Sequence, residues 1–273
     1  MKPSISIVAA IAALFAQPAA IAADTQPQSF SGSAYALGTD SLLFRETHFL
    51  YAGPNGGERL VLYACPDGRP FARKWSRDDG NPQAPDFDMT DARMGYREGV
   101  RREGEQREVY VQRSAAQPEQ SAALQLPADG VIDTGFDVFV QRHWDELVRG
   151  DTLKLPFLVP SRRTFFAFKA VRVEQPAAPP NSVTFRLASS SWFSFLLPHI
   201  DVSYDLTTRR IVRYEGLSNV RDETTGKNYR VHFEYARSAV FHPVAKAEVE
   251  AARSVALSAS CATADKQVSA SGQ

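Results

Sequence analysis

Pro54-Asn55-Gly56-Gly57, then Leu60-Val61-Leu62-Tyr63-Ala64-Cys65, then Pro66-Asp67-Gly68: two turn signals bracket one short apolar run. Asn-Gly suits a tight hairpin because both residues tolerate positive φ, and Pro-Asp-Gly pairs a rigid first residue with a permissive last one. The run between them is too short for a helix and fits a strand. Residues 42–51 before it and 70–77 after it carry strand-forming residues. Together these segments predict a β-meander.

The same grammar continues outward. Residues 94–102 and 107–113 flank Glu103-Gly104-Glu105, and Val109 and Val111 alternate with Glu108, Tyr110 and Gln112. That period of two marks a half-buried strand. Residues 152–159 and 165–173 pair plausibly across a short link, 175–182 is a proline-rich loop, and Val183, Phe185 and Leu187 alternate with Thr184 and Arg186. Another hairpin is expected from 200–205 and 210–217 around Leu206-Thr207-Thr208. In the cleanest strand, Tyr229, Val231, Phe233 and Tyr235 share one face, with Arg230, His232 and Glu234 on the other.

One helix interrupts the strands. Asp133 or Thr134 is placed to cap its start and Gly150 stands just past its end. Phe136, Phe139, Val140, His143, Trp144 and Leu147 fall on one arc, while Asp137, Gln141, Arg142, Asp145 and Arg149 fall opposite. A last helix is expected over 244–257. The fold class is therefore mainly β (α+β): a strongly curved antiparallel sheet or half-open barrel, with one long helix packed on its concave face.

The chain opens with a secretory leader pattern: Lys2, an apolar run over 5–15, and the small-x-small triplet Ala20-Ile21-Ala22. The expected organisation is a signal peptide over 1–23, one β-rich domain over 24–258 and a disordered tail over 259–273. No cysteine sits at or just after the cut, so the expected location is the periplasm, soluble and without a lipid anchor. No later apolar run is long enough for a membrane-spanning helix. Lys and Arg total 31, as do Asp and Glu, so no field is indicated that would attract nucleic acid or an anionic membrane. The two cysteines, Cys65 and Cys261, invite a disulfide in an oxidising compartment, although Cys261 lies in a Ser/Ala-rich segment.

The usual catalytic signatures are missing: no Gly-x-Ser-x-Gly elbow, no metal-spaced His or Cys pairs, no glycine-rich phosphate loop. No cofactor or metal is expected. His48 shares a strand face with Glu46, and His199 with Asp201, but two ligands make no metal site. Asp86, Asp88 and Asp91 read as a solvated loop paired with Arg93 and Arg97. His232 reads as a solvated strand residue. The candidate ligand-binding residues are His143 and Trp144 on the helix, with Trp192, Phe193 and Phe195 in an aromatic block that follows Ser189-Ser190-Ser191.

The stretches Tyr63-Ala64-Cys65-Pro66-Asp67-Gly68-Arg69-Pro70-Phe71-Ala72-Arg73-Lys74, Gly135-Phe136-Asp137-Val138-Phe139-Val140 and Tyr214-Glu215-Gly216-Leu217-Ser218-Asn219 resemble a family of uncharacterised exported bacterial proteins. A curved sheet around a helix is also similar in architecture to the periplasmic lipoprotein carriers LolA and LolB. Neither resemblance brings a functional residue. The expected function is a non-enzymatic periplasmic protein that binds a lipid or other apolar or amphipathic ligand, with a role in envelope maintenance. The alternatives are a hydrolase using His143 or His199, and an envelope scaffold whose protein partner would meet the 192–197 block.

Overall fold

The computed structural model describes residues 26–104, 106–190, 199–235 and 241–261. The expected leader and the aromatic block holding Trp192, Phe193 and Phe195 lie outside them. The first meander comprises β1 (Gln28–Ala36), β2 (Leu42–Ala52), β3 (Gly57–Ala64), β4 (Pro70–Arg77), β5 (Asp86–Asp91), β6 (Tyr96–Glu103), β7 (Gln106–Gln112) and β8 (Gln120–Ala123). Helices α1 (Gly135–Arg142) and α2 (Trp144–Arg149) follow. The second meander comprises β9 (Leu153–Val159), β10 (Thr164–Val173), β11 (Ser182–Ser189), β12 (Ile200–Asp205), β13 (Ile211–Arg221) and β14 (Asn228–Tyr235). The short β15 (His242–Pro243) and helix α3 (Lys246–Ser254) complete the described chain.

The strands form one antiparallel sheet of 15 strands in which β1 pairs with β14 and so joins the two meanders. Between the outermost strands, β8 and β9, no ladder is formed among the described residues. The sheet nevertheless curls until its ends meet through side chains. Leu158 of β9 packs in one buried cluster with Phe87, Val100 and Val109 of β5, β6 and β7, and Ile132 fills the space between them. Val131 forms a single parallel bridge to Phe157, while the Ile132 amide donates to the Gln83 carbonyl at 3.1 Å. A connecting segment thus covers the open edges that would otherwise offer unpaired backbone groups.

The expected long helix is two short ones. At His143 the backbone leaves helical geometry (φ −106°, ψ 24°), and His143 Nδ1 bonds Glu146 Oε2 at 2.7 Å just beyond the break. The bend lets both helices bury their apolar arcs. Phe136, Phe139 and Val140 from α1, and Trp144 and Leu147 from α2, join one core with Leu155, Phe185, Leu187, Val202 and Tyr204. Asp133 and Thr134 make no side-chain cap to α1. The Asp133 carboxylate is engaged by Lys74 instead.

Two more differences concern side chains that read as solvated. Asp86, Asp88 and Asp91 lie on a strand, β5, because arginines neutralise them there: Arg107 holds Asp86, Arg97 and Tyr110 reach Asp88, and buried Arg93 pairs with buried Asp91. His232 is buried rather than solvated, and its ring stacks on Tyr35 across β1 and β14.

Helix α3 covers the opposite face of the sheet, where Val249 and Ala252 pack on Phe49 and Leu60. Beyond it the chain is tied down through Cys261. The Ser258 amide donates to the Pro70 carbonyl at 2.6 Å, and Cys261 is disulfide-bonded to Cys65 in the β3–β4 turn. The bridge spans 196 residues of sequence. Replacing both cysteines by serine is expected to lower stability by about 2–5 kcal/mol in urea unfolding under non-reducing conditions. An unchanged midpoint would contradict that expectation.

Candidate functional site

The inner face of the first meander carries charge where a core would ordinarily be apolar. Register explains how these residues meet. His48 on β2 lies opposite Val61, Val61 opposite Lys74, Lys74 opposite Met89, and Met89 opposite Glu98. Side chains in one such row point the same way, so β2, β4 and β6 each deliver an ionisable group to the interior. Glu46 joins them two residues before His48. All four are buried.

Each group is compensated locally, as burial of charge requires. Lys74 Nζ donates to both carboxylate oxygens of Asp133 at 2.9 Å. Asp133 adopts left-handed backbone (φ 47°), a conformation Asp tolerates better than most residues. Burial opposes the Lys74 charge, but the attraction of Asp133 outweighs it together with smaller contributions from Tyr63 and Glu46, so its pKa is raised. Glu46 Oε1 accepts from Tyr235 Oη at 2.6 Å and from His48 Nε2 at 2.7 Å. Tyr235 reaches it over Gly32, whose position admits no side chain: a Cβ there would lie 2.7 Å from the Tyr235 ring.

Burial pushes the His48 pKa down, which keeps the imidazole neutral with its proton on Nε2 facing Glu46. Burial alone would raise Glu46. The His48 and Tyr235 bonds and the Lys74 charge reverse that and hold the carboxylate lower. Glu98 Oε2 accepts from Tyr96 Oη at 2.5 Å, and Arg221 Nη2 donates to the same phenol oxygen at 3.1 Å. Burial still pushes Glu98 up, toward its neutral form.

Opposite this ionic wall lies an apolar one. The two flank a half-open cavity of about 430 Å³ whose apolar lining includes Phe136, Phe157, Phe168, Leu187, Val202 and Phe233. Its polar lining adds Arg59 from β3 and Asp137 from α1 to the row described above. Cavities of this size hold small-molecule ligands when a few placed polar groups accompany an apolar majority.

Sequence reasoning placed the site elsewhere. Trp144 is a core residue, edge-on to Phe185 and Tyr204 at 5.7 and 5.9 Å. His143 is partly exposed, over the Phe139 ring, with Nδ1 taken by Glu146. Neither lines the cavity. Trp192, Phe193 and Phe195 fall outside the described residues. His199 borders the cavity, but its nearest acid, Asp201, is held bidentate by Arg186 at 2.7 Å. No cluster of three or more His, Cys, Asp or Glu suited to a metal occurs among the described residues. The signal that could have found the wall is the same-face pair Glu46 and His48, read together with Lys74 at the centre of an otherwise strand-like segment.

No protein-family description matches this chain, and no curated protein is similar to it. Among solved structures, it is similar to a β-barrel-like protein of the domain of unknown function DUF1849 from Brucella abortus, at TM-score 0.45 and 9% identity. The alignment covers 77% of this chain and 96% of that one. Nothing about function is carried across at that distance. No link to the LolA or LolB carriers emerges.

The His48 shift sets a sign for pH dependence. Folding favours the neutral ring, so its contribution is complete above the unfolded value near 6.5 and is lost as pH falls toward the lower folded value. Glu46, also depressed, adds a loss only below about 4.5. The His48 contribution should therefore be lost between pH 7 and 5, while Glu98 and Asp137, raised by burial, act with the opposite sign, so the expected result is that His48→Gln gains stability relative to the wild type as pH falls through this range. Urea midpoints measured across this range check it, and an identical slope in the variant would contradict it.

Proposed function

We propose that this chain is a non-catalytic binding protein that encloses an apolar or amphipathic molecule inside its curved sheet, with α1 and α2 plugging the concavity. The observation that carries the reading is the cavity of about 430 Å³, walled on one side by phenylalanines and aliphatics and on the other by ionisable groups. Such a two-sided interior matches a molecule with an apolar body and a polar end. An enzyme would need a nucleophile or metal within reach of an acid–base group. Among the described residues His48 bonds Glu46 and packs on the Phe30 and Tyr235 rings, with no nucleophile bonded to it. Export to the periplasm, and with it a role in the cell envelope, rests on the leader pattern at 1–23.

The protein, expressed with its leader and purified from the periplasm, is expected to retain envelope lipid detectable by mass spectrometry of an organic extract. Ile211 borders the cavity from β13 and is only partly buried, so Ile211→Trp should fill the void at a stability cost of about 1–3 kcal/mol or less. Retained lipid should fall sharply in that variant. Absence of lipid from the wild type, together with no binding of added fatty acid, would overturn the reading.

A further inference from the structure

Resting on the binding reading above, we propose that the ligand is an amphiphile bearing one anionic group, a carboxylate or a phosphate, and that Arg59 is the residue that holds it. Arg59 lies on the inner face of β3, opposite Ser76, and borders the cavity half-buried. Among the described residues its guanidinium has no hydrogen bond and no ion pair. Every other strong cation at the cavity is committed. Lys74 is spent on Asp133, and Arg221 on the Tyr96 phenol and the Gly226 carbonyl.

The acids facing the same space are also accounted for: Asp133 by Lys74, Glu46 by His48 and Tyr235, Glu98 by Tyr96. What remains at the Arg59 end is a guanidinium without an ion pair, beside one unused polar atom. The buried His48 Nδ1 has no hydrogen-bond partner among the described residues. Asp137 faces this end too, and burial raises its pKa toward the neutral form despite the charge of Arg59. Its carboxyl is engaged by Gln141 and Tyr204 and makes no ion pair with Arg59 among the described residues. A half-buried guanidinium left unpaired carries a desolvation cost unless something answers it, and its planar fork fits carboxylate and phosphate oxygens two at a time. The adjoining wall of Phe136, Val202 and Phe233 supplies the surface for an apolar body.

Isothermal titration of the full mature chain against dodecanoate, dodecyl phosphate, dodecanol and inorganic phosphate tests this. Dodecanoate or dodecyl phosphate should bind at least about tenfold more tightly than dodecanol. Arg59→Gln should reduce the acid's affinity to that of dodecanol, leave dodecanol unchanged, and leave the melting temperature unchanged or raised. Arg59→Lys, which keeps the charge but loses the fork, should fall between. Equal binding of dodecanol and dodecanoate, or equal losses for both in Arg59→Gln, would overturn the inference while leaving an apolar binding protein standing. Inorganic phosphate binding as tightly as dodecyl phosphate would also overturn it, since the apolar body would then be idle. Failure of all four probes would overturn both readings.

Discussion

The ion pair between Lys74 and Asp133 joins two parts of the chain that backbone hydrogen bonding leaves almost separate. Lys74 belongs to β4, deep in the first meander and 7% exposed, whereas Asp133 opens the turn into α1. Removing one partner would strand a buried charge, at a cost of about 3–5 kcal/mol. The pair therefore fixes where α1 begins. The segment around it is equally constrained. Ile132 bonds Gln83, and Gly135 passes so close to the Gln83 carbonyl that a Cβ there would collide with it. From that anchor the helices run on to pack against Leu155, Phe185, Leu187, Val202 and Tyr204 of the second meander.

An unclosed sheet makes this anchor necessary. A barrel closed by its own ladder needs no plug. Here, among the described residues, β8 and β9 form no ladder, and the gap is spanned by packed side chains, a single parallel bridge at Val131 and polar contacts such as Arg113 to the Ser161 carbonyl at 3.1 Å. The interior is consequently too wide to be filled by strand side chains alone. Part of it is packed by Phe136, Phe139 and Trp144, and part is left as the cavity. Charged residues persist on its wall because local partners satisfy them.

Much of the fold was legible because turns and period-two alternation are local signals. Strand β4 at 70–77 and strand β12 at 200–205 have the bounds read from sequence alone. Strand β1 escaped notice because Gln28–Ala36 is rich in Ser, Gly and Ala, small residues that a strand flanked by β2 and β14 uses to admit neighbouring rings such as Tyr235. Strand β5 was hidden by its aspartates, whose arginine partners come from β4, β6 and β7. The site was less legible still. Arg59 and Lys74 each look like an ordinary polar residue in an alternating strand, and only the curl of the sheet reveals that their face is internal. Asp137 was assigned to the solvent side of the helix because a helical wheel knows one core, whereas α1 has apolar packing on one flank and a cavity on another.

If the Lys74–Asp133 pair is what seats the plug, its loss must be felt first in α1. Hydrogen–deuterium exchange of Lys74→Met against the wild type reads this directly. The account predicts that amides of Phe136 through Arg142 lose protection while the ladders of β1, β2 and β14 keep theirs. Unchanged exchange in α1, or a loss spread evenly over helix and sheet, would contradict it.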